Sequence, residues 1–317
     1  MDQSARGMPS KPAAGVELSI ENDGAMLPAP LSLPAANPIG GIVPLHPASE
    51  PSREQFLFQH LARELPARGI AVLRYDRRPT DDERDTPLEV QASDALAALR
   101  VLRSHIGEGA PVGLWGFSQG AWTAPLAAAE SDEVAFLTLI ASTGVSPAQQ
   151  MRYGVDQQAR RAGFSGQALD ELARLRTAYE EYLRGNVDYA AAQALVDSAS
   201  SQPWFPLAWV PRELPTPGAW GDMDFDPEAI FARVRCPTLL FYGEDDEWTP
   251  ADASAEAWQR AAQRAAQRAN NRDLTVIRLP GASHHPTLRG EQSVEAISPL
   301  YTETLVGWLM ERLARRA

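Results

Sequence analysis

The sequence predicts an α/β protein, a mostly parallel sheet flanked by helices with a mainly helical segment inserted after the sixth strand. Two observations carry this. Short β-branched or apolar runs alternate with longer segments whose apolar residues recur three and four apart, the rhythm of strands and amphipathic helices. That rhythm then lapses between Ser142 and Cys236, a gap too long for a simple strand-to-helix connection. The length agrees, since 317 residues suffice for one large α/β domain carrying an insertion.

In chain order, "VELSIENDGAMLPAPLSLP" reads as two strands around Asn22-Asp23-Gly24, an antiparallel hairpin at one edge of the sheet. The remaining strands are "GIVPLH" (41–46), "AVLRYD" (71–76), "PVGLWG" (111–116), "VAFLTLIAS" (134–142), "PTLLFYG" (237–243) and "LTVIRLP" (274–280). "SREQFLFQHLARELPARG", "LEVQASDALAALRVLRSH" and "SQGAWTAPLAAAE" supply the helices between them. From about Ala148 to Ser198 the chain is rich in Ala, Gln, Glu, Arg and Leu at helical spacing, which predicts two to three helices. The next stretch is crowded with Pro, which excludes regular helix, and carries Trp204, Phe205, Trp209, Trp220 and Phe225. These rings either form the small core of a helical cap or line a binding pocket. "AAQRAAQR" (261–268) is a tandem of good helix formers and carries no function.

Composition narrows the function classes. With 44% hydrophobic and 22% charged residues the chain is an ordinary globular protein, and a net charge of −12 argues against nucleic acid and anionic membranes as partners. Cys236 is the only cysteine, so no intrachain disulfide forms, which fits a reducing compartment. The first twenty residues lack the apolar run of a secretory signal and no later window is long enough to span a bilayer, so the expected location is the cytoplasm.

The segment "GLWGFSQGAW" contains Gly-x-Ser-x-Gly at Gly116, Ser118 and Gly120. Such a pentamer arises by chance in about one chain in ten of this length, but here a buried strand precedes it and a helix follows. In that strand–turn–helix the Ser backbone is strained, and side chains two positions either side would collide with the turn. A Ser hydroxyl needs a base to take its proton and a third group to orient the base. His60 and His105 lie on predicted helices and His46 closes a strand, whereas His284 and His285 follow the last strand, where α/β active sites form. The base is therefore one of those two. Glu244, Asp245, Asp246 and Glu247 follow the preceding strand and supply the acid, in the chain order Ser, carboxylate, His.

Together "LARELPARGIAVLRYDRRP", "GLWGFSQGAW", "CPTLLFYGEDDEWTP" and "LPGASHH" resemble segments of the α/β-hydrolase superfamily, and the resemblance runs from about Val16 to the C-terminus. It implies Asp246, three residues after Gly243 and four before Pro250, as the acid, and His284, after Gly-Ala-x, as the base. It also implies a core domain of residues 1–146 and 231–317 and a cap, or lid, of residues 147–230. The family's oxyanion hole uses the amide two residues after a strand-end His, in His-Gly-x, and the amide after the nucleophile. Those positions are Ala48 and Gln119, with Pro47 standing where the family carries Gly; Ala48 keeps its N–H. A second departure is Pro79 after Arg78, where Gly is usual.

The expected function is that of a serine hydrolase cleaving an ester, lactone or thioester of a largely apolar small molecule through an acyl-enzyme. Trp204, Phe205, Trp209, Trp220 and Trp248 are the candidate substrate-binding residues. No metal or organic cofactor is required, and homo-oligomerisation is left open. The alternatives are an acyltransferase or cyclase, an aminopeptidase-like enzyme using the acidic "GDMDFD", or a non-catalytic small-molecule receptor. An Asp nucleophile, as halide or epoxide chemistry on this fold would need, is ruled out by Ser118.

Overall fold

The computed structural model describes residues 15–48, 50–79, 86–269 and 273–314. Strands β1 (Val16–Asn22) and β2 (Ala25–Ser32) form the expected hairpin, paired Val16 to Leu31 through Asn22 to Ala25. Asp23 and Gly24 turn it, both with positive φ. β3 (Gly40–Leu45) is followed by α1 (Phe56–Glu64), capped by the Gln55 side chain, which accepts from the amides of Leu57 and Phe58. Then come β4 (Ile70–Leu73), α2 (Leu88–Ile106), β5 (Val112–Phe117), α3 (Gly120–Glu130) and β6 (Leu137–Ile140). Helices α4 (Pro147–Arg161), α5 (Gln167–Leu183), α6 (Tyr189–Ala199) and the short α7 (Pro227–Phe231) precede β7 (Thr238–Gly243). The chain closes with α8 (Ala251–Ala269), β8 (Leu274–Leu279) and α9 (Pro299–Ala314).

The eight strands lie in the order β1-β2-β4-β3-β5-β6-β7-β8, with β2 antiparallel to β4 and every pairing from β4 to β8 parallel. Side chains of one strand alternate between the two faces. Val43 and Leu114 join the layer of α2, α3, α7 and α8, while Ile42 and Trp115 join the layer of α1 and α9. Trp115, fully buried, donates from Nε1 to the Tyr301 hydroxyl at 2.9 Å, fastening α9 to the sheet. Among the described residues no helix is long and apolar enough to cross a membrane.

Between β6 and β7 the three helices α4 to α6 and an irregular Pro-rich stretch share a hydrophobic cluster of their own, including Val155, Leu172, Leu183, Val196, Trp204 and Phe205. Arg176 and Glu180, both buried, form an ion pair inside it, and Arg152 donates to the second Glu180 oxygen at 2.6 Å. The chain rejoins the sheet layers at Phe225 and α7, where Phe231 stacks on Trp258 with centroids 3.8 Å apart. The expected strand "VAFLTLIAS" contracts to Leu137–Ile140, and Ala141, just past its end, takes positive φ.

Candidate active site

Ser118 stands between β5 and α3 with φ 54°, a conformation costing a non-glycine residue about 1–3 kcal/mol. The surroundings hold it there. Its N–H donates to the Ile140 carbonyl at 3.1 Å, and its own carbonyl accepts from Ala121 at 2.9 Å. A Cβ at Gly116 would sit 2.3 Å from the Gly120 carbonyl oxygen, and one at Gly120 would sit 2.4 Å from that of Leu45. Both obstacles are backbone and cannot swing aside. The helix itself begins at Gly120 rather than at Ser118, because the serine's positive φ takes it out of the helical ladder.

The candidate acid and base sit on adjacent loops at the same sheet end. Asp246 follows β7 and His284 follows β8, and the two loops interlock. Glu244 N–H donates to Leu279 at 3.1 Å and Asp245 N–H to Ala282 at 2.9 Å. Gly243 permits the approach, since a Cβ there would lie 2.1 Å from the Ser283 carbonyl oxygen. Asp246 Oδ1 accepts the Trp248 amide at 2.7 Å and the Thr249 amide at 3.0 Å. His284 Nδ1 lies 3.1 Å from both Asp246 oxygens, and its Nε2 lies 3.0 Å from Ser118 Oγ. A carboxylate only accepts, so Nδ1 carries the proton and Nε2 presents its lone pair to the hydroxyl.

The Asp246 side chain is 1% exposed and that of His284 is 14%. Burial pushes the His284 pKa down, but the charge and hydrogen bond of Asp246 outweigh it and leave it above the ordinary imidazole value. Burial likewise opposes ionisation of Asp246, and the His284 charge with the Trp248 and Thr249 hydrogen bonds reverses this, holding the carboxyl below its usual range. Both shifts reflect the attraction between the two side chains.

The other histidines are accounted for. His285 packs between Phe117 and Phe56, centroids 4.8 and 5.5 Å away, and burial, reinforced by His284, lowers its pKa to about 4. His46 donates from Nε2 to the Tyr75 carbonyl at 2.8 Å, and burial with the nearby Arg77 brings its pKa to about 3. His60 reaches the Thr302 hydroxyl at 3.0 Å, and His105 caps a turn of its own helix.

Of the oxyanion candidates, Gln119 occupies the N-cap of α3, and Ala48 is exposed just past β3, in the turn that follows the strand. The aromatic candidates divide. Trp204 (3% exposed) and Phe205 (5%) are packed inside the insertion's own cluster, and Trp220 packs against that cluster near the Arg176 guanidinium, 5.7 Å from its ring. Trp204 also lines a separate cavity of about 320 Å³, with Leu175, Leu195 and Ala199, and Trp220 is half-buried. Trp209 is 55% exposed, in a left-handed backbone conformation, and meets Trp248 edge-on with centroids 5.3 Å apart. Trp248 borders a cleft of about 380 Å³ together with Arg161, Ser283, His284 and His285.

Three contributors carried no distinctive sequence signal. Gly154 on α4 receives the Trp248 indole, where a Cβ would lie 2.2 Å from the ring. Arg161 at the end of α4 donates to Glu247 at 3.0 Å and to the Asp245 carbonyl at 2.8 Å. Buried Arg77 donates to Gln119 Oε1 at 2.8 Å. The acidic run 221–226 is engaged structurally, with Asp224 paired to Arg184 and Asp226 capping α7.

No curated protein matches the chain in sequence. Solved structures of similar fold include Est1E from Butyrivibrio proteoclasticus (18% identity, TM-score 0.59, covering 95% of this chain and 100% of that one). The Pyrococcus furiosus esterase Pf2001 is similar at 15% identity and TM-score 0.56, covering 94% and 92%. The dienelactone hydrolase from Anabaena variabilis is similar at 15% identity and TM-score 0.53, covering 94% and 97%. At these identities the likeness is one of fold. Sequence carries the membership, because residues 45–296, most of the chain, match the alpha/beta hydrolase family: the chain belongs to that family.

Proposed function

We propose that the protein is a serine hydrolase that cleaves an ester, lactone or thioester of a largely apolar small molecule. The observation that carries the reading is the unbroken relay from Asp246 through His284 to the Ser118 hydroxyl, with contacts of 3.1 and 3.0 Å. Ser118 Oγ attacks the acyl carbon as its proton passes to His284 Nε2, and the carbonyl π electrons move onto oxygen. The Ala48 and Gln119 amides hold that oxyanion, aided by the positive end of α3. The intermediate collapses, the carbon–heteroatom bond breaks, and the leaving group takes the proton from His284. Water, deprotonated by His284, attacks the acyl-enzyme; its collapse returns the proton to Ser118 and releases the acid.

Residues 147–230 act as a cap over this site, and the cap's exposed Trp209 with the half-buried Trp248 of the core supplies the substrate-facing rings. An aminopeptidase role has less support, since Asp224 and Asp226 are already engaged. Cys236, the only cysteine in the sequence, fits residence in a reducing cytoplasm.

A panel of aryl and alkyl esters, thioesters and lactones tests the reading. Est1E has been solved with ferulic acid bound, which makes hydroxycinnamoyl esters a sensible part of the panel. Ser118→Ala is expected to lower kcat by about 10⁶-fold. Equal cleavage by both proteins, or no cleavage of any substrate by the unaltered protein, overturns it.

A further inference from the structure

The replacement of the usual Gly by Pro47 raises the question of what aims the Ala48 amide. We propose that Arg77 is a positioning residue for the oxyanion-binding amides, holding the carbonyl of the Pro47–Ala48 peptide so that its N–H turns toward the reacting carbonyl. The inference rests on the serine-hydrolase reading above. Arg77 follows β4, is buried, and donates from Nη1 both to the Pro47 carbonyl at 3.3 Å and to Gln119 Oε1 at 2.8 Å. The Pro47 carbonyl and the Ala48 N–H belong to one peptide group. No described peptide bond is cis, and in a trans peptide C=O and N–H point in opposite directions. Fixing the carbonyl on the guanidinium therefore directs the N–H away from Arg77.

The loop is held at a second point by the same residue. Arg77 N–H donates to the Pro51 carbonyl at 2.8 Å, and the neighbouring Asp76 carboxylate accepts the Arg53 amide at 2.8 Å. On the other side, Gln119 Oε1 also takes Gln91 Nε2 at 3.3 Å, which fixes the side chain of the residue whose own N–H is the second oxyanion donor. A Gly120 Cβ would touch the carbonyl oxygens of Leu45 and His46 at 2.4 and 3.0 Å, so the β3 exit and the α3 start are in contact. One guanidinium thus spans both halves of the hole and places a cation beside it. A glycine before Ala48 leaves ψ and φ free to find this orientation. Proline locks φ, and Arg77 supplies the remaining restraint.

Arg77→Met, which keeps most of the side-chain volume, is compared with the unaltered enzyme on an ester that it cleaves. Expected are a kcat lower by about tenfold to a hundredfold and a KM within about twofold. The inhibition constant of an alkyl boronic acid, which becomes tetrahedral and anionic on the Ser118 oxygen, should rise by the same factor as kcat falls. The acid limb of the pH profile, set by His284, stays in place. A kcat and boronate affinity like those of the unaltered enzyme overturn the inference. So does a fall accompanied by a moved acid limb, which means that the triad has been displaced. Should Arg77→Met not fold, Arg77→Gln is read in the same way, since its shorter, neutral side chain cannot reach both acceptors. Turnover that vanishes in Ser118→Ala but ignores Arg77 sinks this inference alone, whereas turnover indifferent to Ser118 sinks the hydrolase reading beneath it.

Discussion

The loops at the end of the sheet and the insertion between β6 and β7 are built on different rules. At the sheet end, backbone meets backbone: Gly116 against Gly120, Gly120 against Leu45, Gly243 against Ser283. Such contacts admit one residue type and no repacking, so they mark the sequence at fixed spacing. In the insertion, side chain meets side chain, and Trp204 or Phe205 satisfies the cluster as a large apolar body. The comparison teaches that steric necessity writes motifs, whereas packing writes only composition.

The largest expected effect tests the first rule. Asp246→Asn retains the shape but cannot hold His284 in the tautomer that Ser118 needs, so kcat should fall by about 10⁴-fold. The pH profile sharpens this. An imidazolium cannot accept the Ser118 proton, so activity is lost as pH falls through the His284 pKa. Asp246 holds that pKa above the usual value, so the unaltered enzyme loses activity at a higher pH than a free imidazole would dictate. In Asp246→Asn the acid limb should move down. A limb that does not move breaks the assignment.

Next comes Gly120→Ala. Its new methyl would meet the Leu45 carbonyl oxygen at 2.4 Å, and the unfolding free energy in urea should drop by about 4 kcal/mol or more. A variant as stable as the parent would mean that the turn is not sterically obliged. In the insertion, Trp204→Ala should cost about 3 kcal/mol by the same measurement, through the cavity left in its cluster, while KM stays unchanged. A large change in KM would place Trp204 in the substrate pocket. Smallest, Trp209→Ala should alter stability by less than about 1 kcal/mol, because the ring is half exposed. Its effect should instead be a severalfold rise in KM for apolar esters.

The same contrast explains what was legible in the sequence. All eight strands, the hairpin and the inserted helices follow from periodicity and turn residues, and Ser118, the acidic set 244–247 and the histidine pair 284–285 from their places after successive strands. Choosing Asp246 among four acidic neighbours and His284 over His285 needed family resemblance. In the structure Asp246 alone of the run is buried, and His285 is wedged between two phenylalanine rings. The direction in which a side chain points was not legible. "DRRP" does not say which arginine turns inward: Arg77 does, and Arg78 instead binds buried Asp94 at 2.7 Å. Nor does a run of aromatics reveal that Trp209 lies outside and Trp204 inside.

Trp248 leans on Gly154 two residues from Asp246, while Arg161 grips the peptide just before that acid. Exchange of the insertion for one from another protein is therefore not a neutral graft. Positions 154, 161 and 248 have to be transplanted as a set, because a donor segment with a bulkier residue facing the indole would push on the very loop that keeps the imidazole aligned. Engineering for a new substrate would begin with that trio, ahead of the exposed Trp209.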